Sequence, residues 1–327
     1  MRGHRRSTRA RALLALAGSA VVLAVAGCVS GPVATPLPES ATVPATTPAA
    51  TSAPTPTPTP TPTAATVDVS AALGALEAEF DARIGVSALD TGSGTRVAHR
   101  ADERFGYASS IKALAAAQFL RSVPAAERGE VVTWTAADVE AAGYSPVTSE
   151  SIENGLPLDR LAEAAVRRSD NTALNLVLDR LGGPAALDRG LEELGDTVTR
   201  VVNEEPALNT IEPGSTDDTT TPAAVTADLA AVTLGDALSA ADRALLLDWM
   251  SGNATGDQLI RAGAPEGWTV ADKSGGAGGI RTDIAVVTPP GRAPIVLSVL
   301  TARNDPDATY DDALVARAAA AVLAALR

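Results

Sequence analysis

The chain holds only two lysines, Lys112 and Lys273, against 24 arginines (26 Lys+Arg minus these two), and each lysine sits inside a serine motif. Lys112 closes Ser109-Ser110-Ile111-Lys112, and Lys273 opens Lys273-Ser274-Gly275. An ammonium can give up its proton when desolvated or crowded by another cation, whereas a guanidinium in practice cannot. The two positions therefore point to proton handling. A serine hydroxyl is a poor nucleophile until a nearby base accepts its proton. If Ser109 opens a helix, Lys112 projects from the same face of the first turn, and the helix N-terminus favours the negative charge that develops during attack.

The elements that must hold these residues can be read from periodicity. Ile84 to Asp90, a Thr91-Gly92-Ser93-Gly94 turn and Thr95 to His99 form a β-hairpin pattern. Three more strands are expected near the C-terminus: Trp268 to Gly276, Arg281 to Thr288 and Pro294 to Ala302. Between the two groups, apolar spacing of three and four predicts helices over Ser110 to Arg121, Leu158 to Arg168, Thr172 to Leu181, Ala185 to Leu194, Pro222 to Val232, Ala240 to Ser251 and Asp257 to Ala262. A helix over Ser70 to Ala82 precedes the first strand, and one over Tyr310 to Leu326 follows the last. Strands from both chain ends with helices inserted between them imply an α+β fold, an α/β sandwich. Its antiparallel sheet is closed by the termini and flanked by helices, with the insertion forming an all-helical lobe.

Ser109-x-x-Lys112, Ser169-Asp170-Asn171 and Lys273-Ser274-Gly275 occur in the order and spacing of the class A serine β-lactamases, which this sequence resembles over residues 67–327. The likeness includes Tyr144-Ser145-Pro146-Val147-Thr148, the run from Ser169 to Asn175, Glu205-Pro206-Ala207-Leu208-Asn209 and Asp218 to Pro222. It implies hydrolysis of a β-lactam amide through an ester on Ser109, without cofactor or metal. Lys112, Ser169, Glu205 and Lys273 complete the implied catalytic set. Backbone N–H groups of Ser109 and Gly276 form the implied oxyanion hole. Ser169 passes a proton to the departing ring nitrogen, Asn171 donates to the substrate's amide side chain, and Tyr144 edges the pocket. Ser274 and Arg281 are expected to hold the substrate carboxylate, with Lys273 behind them, and Gly275 and Gly276 are expected to line the substrate site. Asp170 is expected mainly to cap the following helix.

Glu205 separates a hydrolase from its relatives. Turnover requires water to attack the acyl-enzyme, and a carboxylate held beside a carboxamide, here Asn209, can fix and deprotonate that water. Either Lys112 or Glu205 can be the base for the first proton transfer. One position departs from the resemblance: Asn203 stands where an arginine commonly pairs with the loop-closing aspartate. Asp218 is therefore expected to lack its partner, which leaves the rigidity of the loop open. The rival readings are a penicillin-binding D-Ala-D-Ala carboxypeptidase or transpeptidase, which lacks the Glu/Asn pair, and a non-turnover sensor that stays acylated.

The remaining composition narrows the partners. Only two histidines occur, His4 and His99. A Ser-His-Asp triad would depend on His99 alone, and a zinc site with several histidine ligands is excluded. Residues 1–27 carry five arginines followed by a short apolar run and read as an export signal. Val25-Ala26-Gly27-Cys28 resembles a bacterial lipobox, which implies that Cys28, the only cysteine, is lipidated. Residues 28–66 read as a Pro/Thr-rich tether reaching about 100 Å if extended, and 67–327 as the catalytic domain. Removing the five signal arginines takes the net charge from −13 to −18, which disfavours nucleic acid as a partner. The expected state is an exported monomer whose only membrane contact is its N-terminal lipid, on the outer face of the cytoplasmic membrane.

Overall fold

The computed structural model describes residues 65–327. The signal, Cys28 and most of the tether lie outside the described residues. In chain order the elements are β1 (Thr66–Val67), α1 (Ser70–Phe80), β2 (Ala82–Asp90), β3 (Arg96–His99), β4 (Phe105–Gly106), α2 (Ile111–Ser122), β5 (Val131–Val132), α3 (Ala136–Ala142), β6 (Leu156–Pro157), α4 (Leu158–Arg167), α5 (Asn171–Leu181) and α6 (Pro184–Glu192). They continue with β7 (Thr219–Thr220), α7 (Pro222–Thr233), α8 (Ala240–Ser251), α9 (Ile260–Gly263), β8 (Thr269–Ala277), β9 (Ile280–Thr288), β10 (Ile295–Arg303) and α10 (Asp312–Ala325).

The main sheet has the order β1-β3-β2-β10-β9-β8, so strands from both chain ends do meet at its centre, through β2 and β10. Its pairings are antiparallel except at the edge, where β1 runs parallel to β3. Both faces of the sheet are covered, and for that reason its central strands read as nearly unbroken apolar runs. Alternate residues divide between two cores with the period of two that a strand imposes. Ile284, Val286, Val296 and Leu300 join the core of the helical lobe. Ala285, Val287, Ile295, Leu297 and Val299 pack with α1 and α10 on the opposite face.

Helix α2 is the axis of the helical lobe. Residues Ile111 to Ala117, Phe119 and Leu120 are all buried, so the helix is apolar on every side, as expected of an element enclosed by others. It delivers Lys112 to the interior in its first turn. Ala240–Ser251 forms as expected and most other boundaries shift by one or two residues, and two of the differences have a clear local cause. The first helix ends at Phe80 because Asp81 turns left-handed (φ 47°) with its N–H bonded to the Glu77 carbonyl, which frees Ala82 to begin β2. The expected helix from Asp257 contracts to Ile260–Gly263, and the Ile260 N–H is held by the buried Asp283 carboxylate.

Candidate active site

The turn at Ser109 is built under strain and at close quarters. Ala108, just before Ser109, has φ 45°, and Ser169 has φ 54°. Such left-handed conformations cost a non-glycine residue about 1–3 kcal/mol and persist only where the surroundings enforce them. Strand β8 passes so near that a Cβ on Gly275 would lie 2.7 Å from the Ser110 nitrogen and 2.8 Å from the Tyr107 oxygen. Only glycine fits there. This close approach brings Lys273-Ser274-Gly275 alongside Ser109.

Seven side chains converge. The Ser109 hydroxyl donates to Glu205 Oε1 at 3.0 Å, and Lys112 Nζ approaches the same oxygen at 3.0 Å. Asn209 Nδ2 donates to the other carboxylate oxygen at 2.5 Å. Lys112 Nζ also donates to the Ser169 carbonyl at 2.8 Å and to Asn171 Oδ1 at 2.6 Å, and lies 3.5 Å from Ser169 Oγ. Lys273 Nζ reaches Ser169 Oγ at 3.2 Å and the Ser274 carbonyl at 2.6 Å. Both ammonium groups therefore face one hydroxyl.

Both lysines are fully buried. Burial pushes the Lys112 pKa down, against an upward pull from Glu205. Burial, and then the nearby charge of Lys112, lowers Lys273 to about 7. The proton handling expected from the scarcity of lysine thus has its physical cause: desolvation with a second cation close by.

Ser274, Gly275, Gly276 and Arg281 line a cleft of about 420 Å³ together with Ser109, Ser169, Asn171, Glu205, Asn209 and Tyr144 at its edge. Tyr144 is 58% exposed. Asn171 Nδ2 gives one hydrogen to the Ala142 carbonyl, which leaves its second for the cleft. Arg281 sits opposite Gly276 across the β8–β9 pairing. Its Nε donates to Asp312 at 2.7 Å and its guanidinium stacks on Tyr310 at 4.6 Å, so it is a fixed wall and not a solvated edge charge. Asp170 caps α5 through the Ala173 N–H and also accepts from Val147, Thr148 and the Thr148 hydroxyl. That is the structural role expected of it.

Two residues of the cleft are not singled out by the sequence. Thr255 shares a hydrogen bond of 2.6 Å with the Ser274 hydroxyl and is itself held by Asn253. Tyr310 supports Arg281. Neither lies in a motif that separates it from the other threonines or tyrosines. Asn175 grips the backbone of Glu205 at two points, donating to its carbonyl at 2.9 Å and accepting from its N–H at 3.0 Å.

The expectation that Asp218 lacks a partner is corrected. Its carboxylate accepts from Asn203 Nδ2 at 2.6 Å, from the Val202 and Asn203 N–H groups at 3.0 and 3.1 Å, and from the Tyr107 hydroxyl at 2.7 Å. The short amide of Asn203 reaches because the backbone of 202–203 wraps directly over the carboxylate.

Residues 68–326 match the family described as the Beta-lactamase enzyme family. The chain is 51% identical over 249 residues to a β-lactamase of Bacillus amyloliquefaciens, covering 76% of this chain and 81% of that protein. It is 50% identical over 252 residues to one of Amycolatopsis lactamdurans, covering 77% and 83%. Among solved structures, the β-lactamase from Streptomyces albus G is similar with a TM-score of 0.76 and 45% identity, covering 78% of this chain and 97% of that one. A class A β-lactamase from Clostridium kluyveri matches with a TM-score of 0.76 and 42% identity over the same shares.

Proposed function

The chain belongs to the class A serine β-lactamases and hydrolyses the β-lactam amide, and we propose that it does so with Ser109 as nucleophile and Glu205 as the base for both halves of the reaction. One observation carries this reading: Glu205 Oε1 lies 3.0 Å from both the Ser109 hydroxyl and the Lys112 ammonium, while Asn209 holds Oε2. The carboxylate takes the Ser109 proton as Oγ bonds to the lactam carbon. Backbone N–H groups of Ser109 and Gly276 receive the oxyanion. The ring nitrogen leaves with a proton from Ser169, which Lys112 restores as it takes up the proton that Glu205 received, so that Glu205 is again a carboxylate. In the second half, water between Glu205 and Asn209 attacks the ester and yields its proton to Glu205, which returns it to Ser109 Oγ as the ester C–O bond breaks.

The substrate carboxylate is assigned to Ser274, Thr255 and Arg281, with Lys273 behind them, and the acylamino side chain to Asn171. With Lys273 lowered to about 7, a positive charge is withdrawn from the carboxylate site as pH rises through that value. We expect kcat/KM for benzylpenicillin to decline above about pH 7, and the decline to flatten in Lys273→Arg, whose charge does not titrate. A profile level to pH 9 in the unaltered protein would count against this assignment.

Rapid mixing with benzylpenicillin followed by mass spectrometry tests the whole reading. Free protein should reappear within seconds, and an adduct persisting on Ser109 would exclude turnover. Among the described residues no helix is long and apolar enough to cross a membrane. Residues 1–27 are assigned to export, Cys28 to lipidation, 28–66 to the tether and 67–327 to a monomeric catalytic domain. Labelling of the full chain by radioactive fatty acid, lost in Cys28→Ala, tests the anchor.

A further inference from the structure

Tyr107 lies two residues before the nucleophile, and its ring is fully buried. Its carbonyl accepts from the Ser110 N–H at 3.2 Å, the Ser110 hydroxyl at 2.6 Å and the Thr282 hydroxyl at 3.0 Å. Its backbone is thereby fixed to the turn that presents Ser109 and to strand β9. Its side chain goes elsewhere. The hydroxyl donates at 2.7 Å to Asp218, which closes the loop that carries Glu205. Just before it, Phe105–Gly106 pairs with Thr219–Thr220, the residues that follow Asp218.

We propose that Tyr107 is a positioning residue for deacylation, its hydroxyl fixing Asp218 to the nucleophile turn so that Glu205 stays in register with the ester on Ser109. The inference rests on the reading of Glu205 as the activator of water. In this chain the tyrosine does from outside the loop what the resemblance assigns to an arginine at 203 inside it. Among the described residues Tyr107 is the only donor to the Asp218 carboxylate that comes from beyond the loop; the other three belong to Val202 and Asn203. Burial, and then the charge of Asp218, push the phenol well above its ordinary pKa, so it stays a neutral donor at every working pH. Three of the donors, Tyr107 among them, crowd Oδ1, and Asn203 Nδ2 holds Oδ2.

Tyr107→Phe keeps the ring and removes only the donor. With benzylpenicillin, kcat should fall about tenfold and KM should fall with it, with kcat/KM falling less than kcat, as expected when the second step is slowed more than the first. A Ser109 adduct should become visible at steady state. Asn203→Arg should raise kcat severalfold in the phenylalanine background and far less in the unaltered protein, where the Tyr107 hydroxyl already ties Asp218 in place. A purely packing role would instead lower the thermal midpoint or the active fraction, with KM and adduct unmoved, and that result overturns the proposal. So does an equal gain from Asn203→Arg in both backgrounds. Should Tyr107→Phe not fold, Asp218→Asn must give the same joint fall of kcat and KM, and an unchanged KM there is equally fatal. Glu205→Gln run in parallel separates the two levels. Turnover at the unaltered rate by that variant removes the reading of Glu205, whereas adduct on that variant without adduct on Tyr107→Phe removes only the role given to the tyrosine.

Discussion

Glu205→Gln should convert the protein from a catalyst into a trap: it is expected to acylate on Ser109 and then stall, with kcat lowered by about 10²–10⁴, the usual range for a lost general base. The substitution is close to isosteric, and an amide oxygen can still accept from Asn209, which now bonds the carboxylate at 2.5 Å. What disappears is the charge. Glu205 is the main influence holding the Lys112 pKa up against burial, so its removal drives that ammonium toward the neutral amine. A neutral Lys112 can accept the Ser109 proton in place of the carboxylate. Acylation therefore survives by a second route, while the water that must cleave the ester loses its base. Mass spectrometry after mixing with benzylpenicillin should show stoichiometric adduct lasting minutes or longer. A variant that hydrolyses within about tenfold of the unaltered rate would place the deacylating base elsewhere. One that fails to acylate would show that Lys112 cannot replace the carboxylate.

The two lysines of the candidate site are legible because they break the composition of the chain, whereas Ser169 and Glu205 are legible only through the family resemblance. In a protein that meets nearly every need for positive charge with arginine, two lysines beside serines mark the site by their rarity. The sheet is legible for a different reason: β2, β8, β9 and β10 carry runs of nine residues each, long enough for a pattern to emerge. Two-residue pairings such as Phe105–Gly106 with Thr219–Thr220 have no periodicity to read, yet this one ties the nucleophile turn to the Glu205 loop. Helix α3 does carry a local signal, Thr135 and Asp138 capping each other, but its seven residues are too few for apolar spacing to reinforce it. Asn203 misleads because a sequence comparison sees the missing arginine but not its replacement. The compensating donor, Tyr107, stands 111 positions from Asp218, and nothing local to either residue announces the contact. Thr255 escapes for the same reason, since its link to Ser274 exists only once α8 and β8 are packed together.

Lys112→Arg should abolish the first chemical step, with kcat/KM falling about 10³-fold or more and no adduct forming, because the site needs a compact ammonium and not merely positive charge. The three strong acceptors around Nζ, at 2.8 Å (Ser169 carbonyl), 2.6 Å (Asn171) and 3.0 Å (Glu205), surround a single nitrogen. A planar guanidinium spreads its donors over a fork and cannot meet all three from one point. The position is fully buried in the first turn of a helix enclosed on every side, so the larger group must displace neighbours, at a cost of about 1–3 kcal/mol for overpacking. Arginine also holds its proton. It cannot carry the proton that Glu205 takes from Ser109 on to Ser169, which must give one to the leaving nitrogen. The comparison with Glu205→Gln is the discriminating one: that variant is expected to stall after the ester forms, and this one before it. Thermal unfolding and circular dichroism of Lys112→Arg should still report a folded protein. If such a folded variant retained more than about a tenth of the unaltered kcat/KM, proton transfer through Lys112 would be unnecessary, and only its charge would matter.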